Sequence, residues 1–108
     1  MNATDFGAVF TSVATRDDAE RIAEVLLSEK LAACVQIGAI DSRYVWQGAM
    51  AREAELLLTI KTRAALFDAV IARIRALHPY ETPEITALPF TAGSADYFSW
   101  IAGVTAAP

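Results

Sequence analysis

The chain has 108 residues, of which 55% are hydrophobic, a mean hydropathy of +0.34 and a formal net charge of −4 with a pI near 4.8. This acidic balance argues against nucleic acid and anionic membrane surfaces as partners, because both recruit clustered basic residues. The hydropathy is high for so small a protein, so we expect another chain to cover part of its surface.

The first elements predicted along the chain are a strand and a helix. The apolar run "GAVFTSV" (7–13) is rich in β-forming residues and predicts the first strand. The segment 16–30 then changes to helical spacing, and Thr15 with Asp18 resembles a capping box at its start. The apolar stripe of this helix consists of Ile22, Ala23, Leu26 and Leu27.

A hairpin and a second helix follow. The segments "LAACVQIGAI" and "DSRYVWQG" predict a second strand with a bend near Gly38 to Ser42. Gly48 is predicted to lie in the turn, and "AELLLTIKT" (54–62) alternates as a third strand should. The segment "RAALFDAVIARIRAL" (63–77) predicts a second helix, which Pro79 ends. Its apolar stripe consists of Phe67, Val70, Ile71, Ile74 and Leu77.

The last predicted elements complete the fold class. "EITALPF" (84–90) predicts a fourth strand, and "GSADYFSWIAGV" (93–104) a short closing helix with Ser94 as N-cap. The order βαββαβ indicates an α+β, ferredoxin-like fold in one domain spanning 1–108, with its core at about 7–104. Two helices cover only one face of a four-stranded sheet, so we expect sheet-on-sheet oligomerisation to cover the other.

The segment "LHPYETPEI" (77–85) contains the only histidine, His78, followed by Glu81. One interpretation is a metal site made by His78 and Glu81. The other is a stiff connection in which His78 caps the carbonyls of the helix end. Pro79 disfavours the α region for the residue before it, and Pro83 is expected to start the fourth strand.

Other candidate residues support binding more than catalysis. The aromatic residues Tyr44, Trp46 and Tyr80 could form a cleft between subunits together with Lys61, which is either an anion-binding residue or a snorkelling surface lysine. Glu53 and Glu55 are interpreted as a solvated edge. No catalytic motif is apparent, so an enzyme is not expected.

Five segments together resemble the CutA family of divalent-cation tolerance proteins: "SEKLAACVQI", "YVWQGAMAREAE", "LLTIKT", "LHPYETPEITALP" and "DYFSWI". They keep the order of the family and cover about residues 8 to 104. The resemblance implies a ferredoxin-like fold, a homotrimer, a cytoplasmic location in bacteria and a link to tolerance of copper and other divalent metals. The lone cysteine, Cys34, and the absence of a signal-peptide pattern or a membrane-length apolar run fit that location.

The chain departs from the members described as copper-binding. Those members can carry a cysteine near the end of the first strand and a pair of histidines before "PY", where this sequence has Thr11 and Leu77. With only His78 remaining, we expect weak binding of copper or another divalent cation and no required cofactor. Two alternatives are a PII-like trimeric sensor of small ligands at intersubunit clefts and an enzyme using Lys61, His78 and Glu81.

Overall fold

A four-stranded sheet organises the chain in the computed structural model, which describes residues 1–107. Short 3-10 turns at Ala3–Asp5 and Ala64–Leu66 precede the first strand and the second helix. The remaining elements are β1 (Phe6–Val13), α1 (Arg16–Ser28), β2 (Cys34–Trp46), β3 (Ala49–Arg63), α2 (Phe67–Leu77), β4 (Ile85–Pro89) and α3 (Ala95–Val104). No helix within residues 1–107 is both long and apolar enough to cross a membrane.

The strands lie in the order β2-β3-β1-β4, and all neighbours are antiparallel. Each helical crossover therefore joins two parallel strands that flank a shared neighbour: α1 leads from β1 to β2 around β3, and α2 leads from β3 to β4 around β1. The predicted α+β, ferredoxin-like arrangement with a closing helix is confirmed.

The β2–β3 hairpin is longer and more regular than predicted. Its strands pair from Cys34 with Lys61 to Trp46 with Ala49 in one register, so the bend expected near Gly38 to Ser42 does not interrupt the pairing. Gln47 and Gly48 form the two-residue turn with φ of 50° and 79°. Two positive φ values define the type I′ geometry that matches the strand twist, and the turn predicted at Gly48 is confirmed.

The main core lies between α1, α2 and one face of the sheet, which we call the first face. Its fully buried side chains come from both helices and from alternate positions of β1 and β3, because side chains alternate between the faces of a strand. They include Val9, Val13, Ile22, Leu26, Leu58, Ile60, Val70 and Ile74. The prediction that Leu27 belongs to this core is wrong: it is 44% exposed, one residue past the stripe.

Side-chain hydrogen bonds support the start of α1 and the end of α2. Thr15 accepts a hydrogen bond from the Asp18 N–H at 3.2 Å, as predicted for the start of α1. The helix ends at Ser28, two residues earlier than predicted, and Lys30 then takes a φ of 58°. At the end of α2, Arg21 donates a 2.6 Å hydrogen bond to the Leu77 carbonyl, which supplies a partner for a free helix carbonyl.

The opposite face of the sheet, the second face, is covered by α3 at one end only. There Phe98 stacks on Phe6, with ring centroids 4.9 Å apart and planes within 3°. Arg63 fixes the end of α3 by donating hydrogen bonds to the Thr105 hydroxyl at 2.9 Å and to the Ala102 carbonyl. Ser94 precedes α3 as predicted, but its side chain makes no capping hydrogen bond.

The connection between α2 and β4, residues 78–84, runs past the end of β1. Strand β4 begins at Ile85, which pairs with Thr11, so the prediction that Pro83 starts this strand is wrong. Because β1 ends at Val13 while β3 extends to Ala49, the far half of the hairpin has no strand beside it. The connection occupies the beginning of that space.

Candidate functional site

A groove of about 650 Å³ lies on the second face, between the far half of the hairpin and the connection 78–84. Every second residue of β2 and β3 points to this face of the sheet. The aromatic side chains of β2 and the acidic side chains of β3 therefore form one wall of the groove. The connection supplies the other wall. We call this groove the acidic groove; its polar and aromatic lining includes Tyr44, Trp46, Glu53, Glu55, Tyr80, Glu81 and Glu84.

A buried hydrogen bond joins the two walls of the acidic groove. The Tyr80 hydroxyl donates to the Glu55 Oε2 at 2.7 Å, and Glu55 is only 7% exposed. The interpretation of Glu55 as a solvated edge residue is therefore wrong. Its alternation with Leu57 and Thr59 places Glu55 on the second face, opposite the core residues Leu58 and Ile60, so the local pattern does not indicate this burial, which comes from contact with the connection.

Both ring nitrogens of His78 are engaged in hydrogen bonds. The Tyr80 backbone N–H donates to Nδ1 at 3.1 Å, so Nδ1 is the unprotonated nitrogen and Nε2–H donates to the Ser12 carbonyl at 2.8 Å. The ring also lies 4.7 Å from the Tyr80 ring. His78 has the extended backbone that Pro79 predicts, with φ −74° and ψ 132°.

These contacts revise one interpretation of His78. Its side chain does not cap the helix carbonyls, because it is bonded to Ser12 on β1 and fixes the connection to the sheet. A metal ion could coordinate either ring nitrogen only by displacing one of the two hydrogen bonds. The role of His78 and Glu81 as metal ligands stays a prediction.

The carboxylates of the groove help to raise the pKa values of both of its tyrosines. Burial, the hydrogen bond to Glu55 and the charges of Glu55 and Glu53 raise the pKa of Tyr80 well above its usual value. A hydrogen-bonding interaction with Glu53 raises the pKa of Tyr44. Both phenols therefore remain neutral donors at physiological pH.

Tyr80→Phe should test the bond to Glu55. At neutral pH we expect a loss of about 1–3 kcal/mol in the free energy of unfolding, because a nearly buried carboxylate loses its donor. The raised folded-state pKa of Tyr80 means that its contribution is complete below the ordinary pKa of 10.0 and is lost as pH rises above it. Urea unfolding at one protein concentration between pH 7 and about pH 11.5 measures both effects.

The wild type should lose stability above pH 10 more steeply than Tyr80→Phe. Tyr44 is present in both proteins, so the difference between the two curves isolates the titration of Tyr80. Parallel curves over the whole range would contradict this account.

Lys61 lies away from the other residues predicted for the cleft. It is ten residues along β3 from Ala51, the pairing partner of Tyr44, which is about 33 Å at strand spacing. Its ammonium instead lies 5.6 Å from the ring centroid of Tyr97. Within one chain the structure thus brings together Tyr44, Trp46, Tyr80 and Glu81 but leaves Lys61 outside.

The acidic side chains of the groove do not converge on a single point. Within residues 1–107 no group of three or more histidine, cysteine, aspartate or glutamate residues is placed to hold a metal ion. Thr11, at the position of the family's cysteine, is fully buried on the first face, and its hydroxyl has no hydrogen-bond partner in the described chain. The arrangement fits a loosely held, partly hydrated cation better than a closed coordination shell.

Comparison with known proteins identifies close relatives over nearly the whole chain. The family described as CutA1 divalent ion tolerance protein matches residues 8–104. The chain is 43% identical over 94 residues to the divalent-cation tolerance protein CutA of Thermus thermophilus, covering 86% of this chain and 91% of that protein. It is 42% identical over 98 residues to the chloroplastic protein CutA 1 of Oryza sativa, covering 90% of this chain.

Coverage and structural similarity complete the comparison. The chain spans only 55% of the rice protein, so it represents about half the length of that relative. The solved structure of the periplasmic divalent cation tolerance protein CutA from Archaeoglobus fulgidus superposes with a TM-score of 0.89 at 35% identity, covering 92% of this chain and 97% of that one. Two of these names specify a compartment, the chloroplast for the rice protein and the periplasm for the Archaeoglobus protein.

Proposed function

Because the chain belongs to the CutA1 divalent ion tolerance family, we propose that it acts as a cytoplasmic homotrimer that binds divalent ions, copper among them, weakly and reversibly. The proposed role is binding without catalysis, and it requires no resident cofactor. Tolerance would then follow from the association of these ions with the protein.

The charge of the acidic groove is the observation that carries this proposal. Glu53, Glu55, Glu81 and Glu84 line it, and Arg43 is the only basic residue among its lining residues. Carboxylate oxygens bind divalent cations, and a set dispersed along a groove leaves the ion most of its water. Glu81 is the ligand from the connection, and His78 adds an imidazole when its unprotonated Nδ1 leaves the Tyr80 N–H.

The proposed trimer is supported by apolar surface at the far end of the hairpin. Val45 and Met50, which pair across the hairpin on the side opposite the acidic groove, are 79% and 63% exposed in the single chain. Exposed large apolar side chains clustered on one feature commonly mark a protein–protein interface. The number three follows from the family resemblance, and sedimentation equilibrium should give three times the 11.6 kDa of one chain.

Calorimetric titration with Cu²⁺ and Zn²⁺ tests the proposal. We expect dissociation constants on the order of micromolar or weaker, because the coordination shell is incomplete. Affinity should fall as the solution is acidified, because protons compete with the metal ion for its ligands. Glu81→Gln should weaken binding, whereas Glu24→Gln, on the exposed side of α1, should not.

His78→Gln completes the series, because glutamine retains an N–H donor for the Ser12 carbonyl. Weaker binding by this variant would identify the imidazole as a ligand, and unchanged binding would leave His78 as part of the stiff connection. The metal proposal fails if the wild type binds no divalent ion, or if Glu81→Gln and Glu24→Gln bind the ions equally well.

The volume of the groove favours a second candidate function, a PII-like trimeric sensor of a small ligand bound between subunits. About 650 Å³ falls within the range of small-molecule sites, and the groove has both apolar and polar walls. Thermal-shift measurements with metabolites and nucleotides test this candidate. The four carboxylates disfavour anionic ligands such as nucleotides.

A further inference from the structure

Glu55 is a nearly buried carboxylate without a cationic partner in the described chain. It is 7% exposed, and the Tyr80 hydroxyl, a neutral group, is the donor to its Oε2. Buried carboxylates are normally paired with a cation or with several donors, because removing the charge from water is costly. The ion pairs within residues 1–107 lie elsewhere: Arg16 with Glu20, Arg21 with Asp18 and Arg73 with Glu29.

Aromatic rings stand beside this carboxylate on the same side of the hairpin. Tyr44 and Trp46 alternate on β2 as Glu53 and Glu55 do on β3, and all four line the acidic groove. The two rings are 37% and 48% exposed, so their faces are accessible. Aromatic faces attract cations, and quaternary ammonium groups bind in sites of this composition.

The size of the groove indicates what kind of cation would fill it. A bare metal ion would occupy a small part of about 650 Å³ and would leave the rings without a role. An ammonium group that carries carbon substituents would contact both the carboxylates and the aromatic rings. Its charge would pair with the carboxylates, and its alkyl groups would lie against the rings. A lysine side chain from a neighbouring subunit would satisfy Glu55 but would fill little of the volume.

We infer that the acidic groove is a binding site for an organic cation, an alkylammonium compound whose charged head pairs with Glu55 and whose carbon substituents lie against Tyr44 and Trp46. This inference rests on the proposed function, since it requires that the groove bind cations. It goes further by naming a class of ligand that a metal-binding role does not include.

Choline and its neutral isostere 3,3-dimethylbutan-1-ol are suitable probes for this site. They share shape and differ in charge, so titration of the full chain by calorimetry separates a cation site from an apolar pocket. We expect saturable binding of choline, and binding of the neutral compound at least about tenfold weaker.

Two variants with matched controls locate the binding. Glu55→Gln keeps an oxygen acceptor for the Tyr80 hydroxyl and removes the charge, and Trp46→Leu removes the ring and keeps an apolar side chain. Each should weaken choline binding about tenfold. Glu24→Gln and Trp100→Leu change an exposed carboxylate and an exposed tryptophan outside the groove and should leave choline binding unchanged.

Several results would overturn the inference. Equal affinity for choline and the alcohol would indicate an apolar pocket, and unchanged binding in both groove variants would place the site elsewhere. No saturable binding would mean that the groove is closed, for example by a basic side chain of a neighbouring subunit. Metal titration of the same samples separates the proposals, since metal binding without choline binding contradicts only this inference, and choline binding without metal binding contradicts only the divalent-ion role.

Discussion

Replacing Gly7 with alanine is expected to lower the free energy of unfolding by about 3 kcal/mol. A Cβ at this position would meet the Leu88 carbonyl oxygen, lie 2.5 Å from the Phe67 ring and lie 2.9 Å from the Pro89 Cα. Two of these atoms belong to the backbone of β4, whose pairing with β1 places Pro89 opposite Gly7. Relief of the contact therefore requires the two strands to separate.

Gly38→Ala is the matched control for Gly7→Ala. Gly38 also lies in a strand, but a Cβ there would have no heavy atom within 4 Å. We expect little change or a slight gain in stability, because alanine restricts the unfolded chain more than glycine does. Urea unfolding at a fixed protein concentration measures both variants. Equal stability of the two proteins would mean that β1 and β4 are not packed as closely as described.

Truncating Phe98 to alanine is expected to cost about 3–5 kcal/mol. Its ring is 6% exposed and stacks between Phe6 and Phe90, with centroid distances of 4.9 and 6.1 Å. These contacts form the small core that holds α3 against the second face. Loss of the ring should release the helix, so the fluorescence of Trp100 should change together with the unfolding midpoint.

Phe98→Leu serves as the comparison for the truncation. Leucine retains most of the apolar volume but not the stacking, so a smaller loss of about 1–2 kcal/mol is expected. The hydrogen bonds from Arg63 to the end of α3 remain available in both variants. If Phe98→Ala unfolds at the same urea concentration as the wild type, the aromatic cluster does not hold α3 in place.

Much of the fold could be predicted because its signals are local. The helical stripes of α1 and α2, the alternation in β3 and the glycine of the hairpin turn each follow from residues close in sequence. The prediction of a bend near Gly38 was wrong for a physical reason. Glycine permits a bend, but the continuous pairing with β3 keeps β2 extended there.

The acidic groove was harder to predict because it joins distant segments. His78 bonds to Ser12, 66 residues earlier, and Tyr80 bonds to Glu55, 25 residues earlier. Residue type and position within the family-like segments identified Tyr44, Trp46, Tyr80 and Glu81 as candidates, but neither could indicate that Glu55 is buried. That burial arises because β3 extends beyond the end of β1 and the connection 78–84 lies in the space beside the unpaired part of β3.

The strand order has a consequence for how the chain reaches its native state. Strand β1 lies at the centre of the sheet, yet it is the first strand in the sequence and pairs with β3 and β4, as far along as Arg63 and Pro89. During synthesis, the apolar residues of β1 therefore cannot pair with both neighbouring strands until most of the chain has been made. The β2–β3 hairpin, closed by a two-residue turn, is the one pairing in the sheet that forms between sequence neighbours. Loop-closure entropy therefore favours the hairpin as the earliest structure and makes the insertion of β1 a late step of folding.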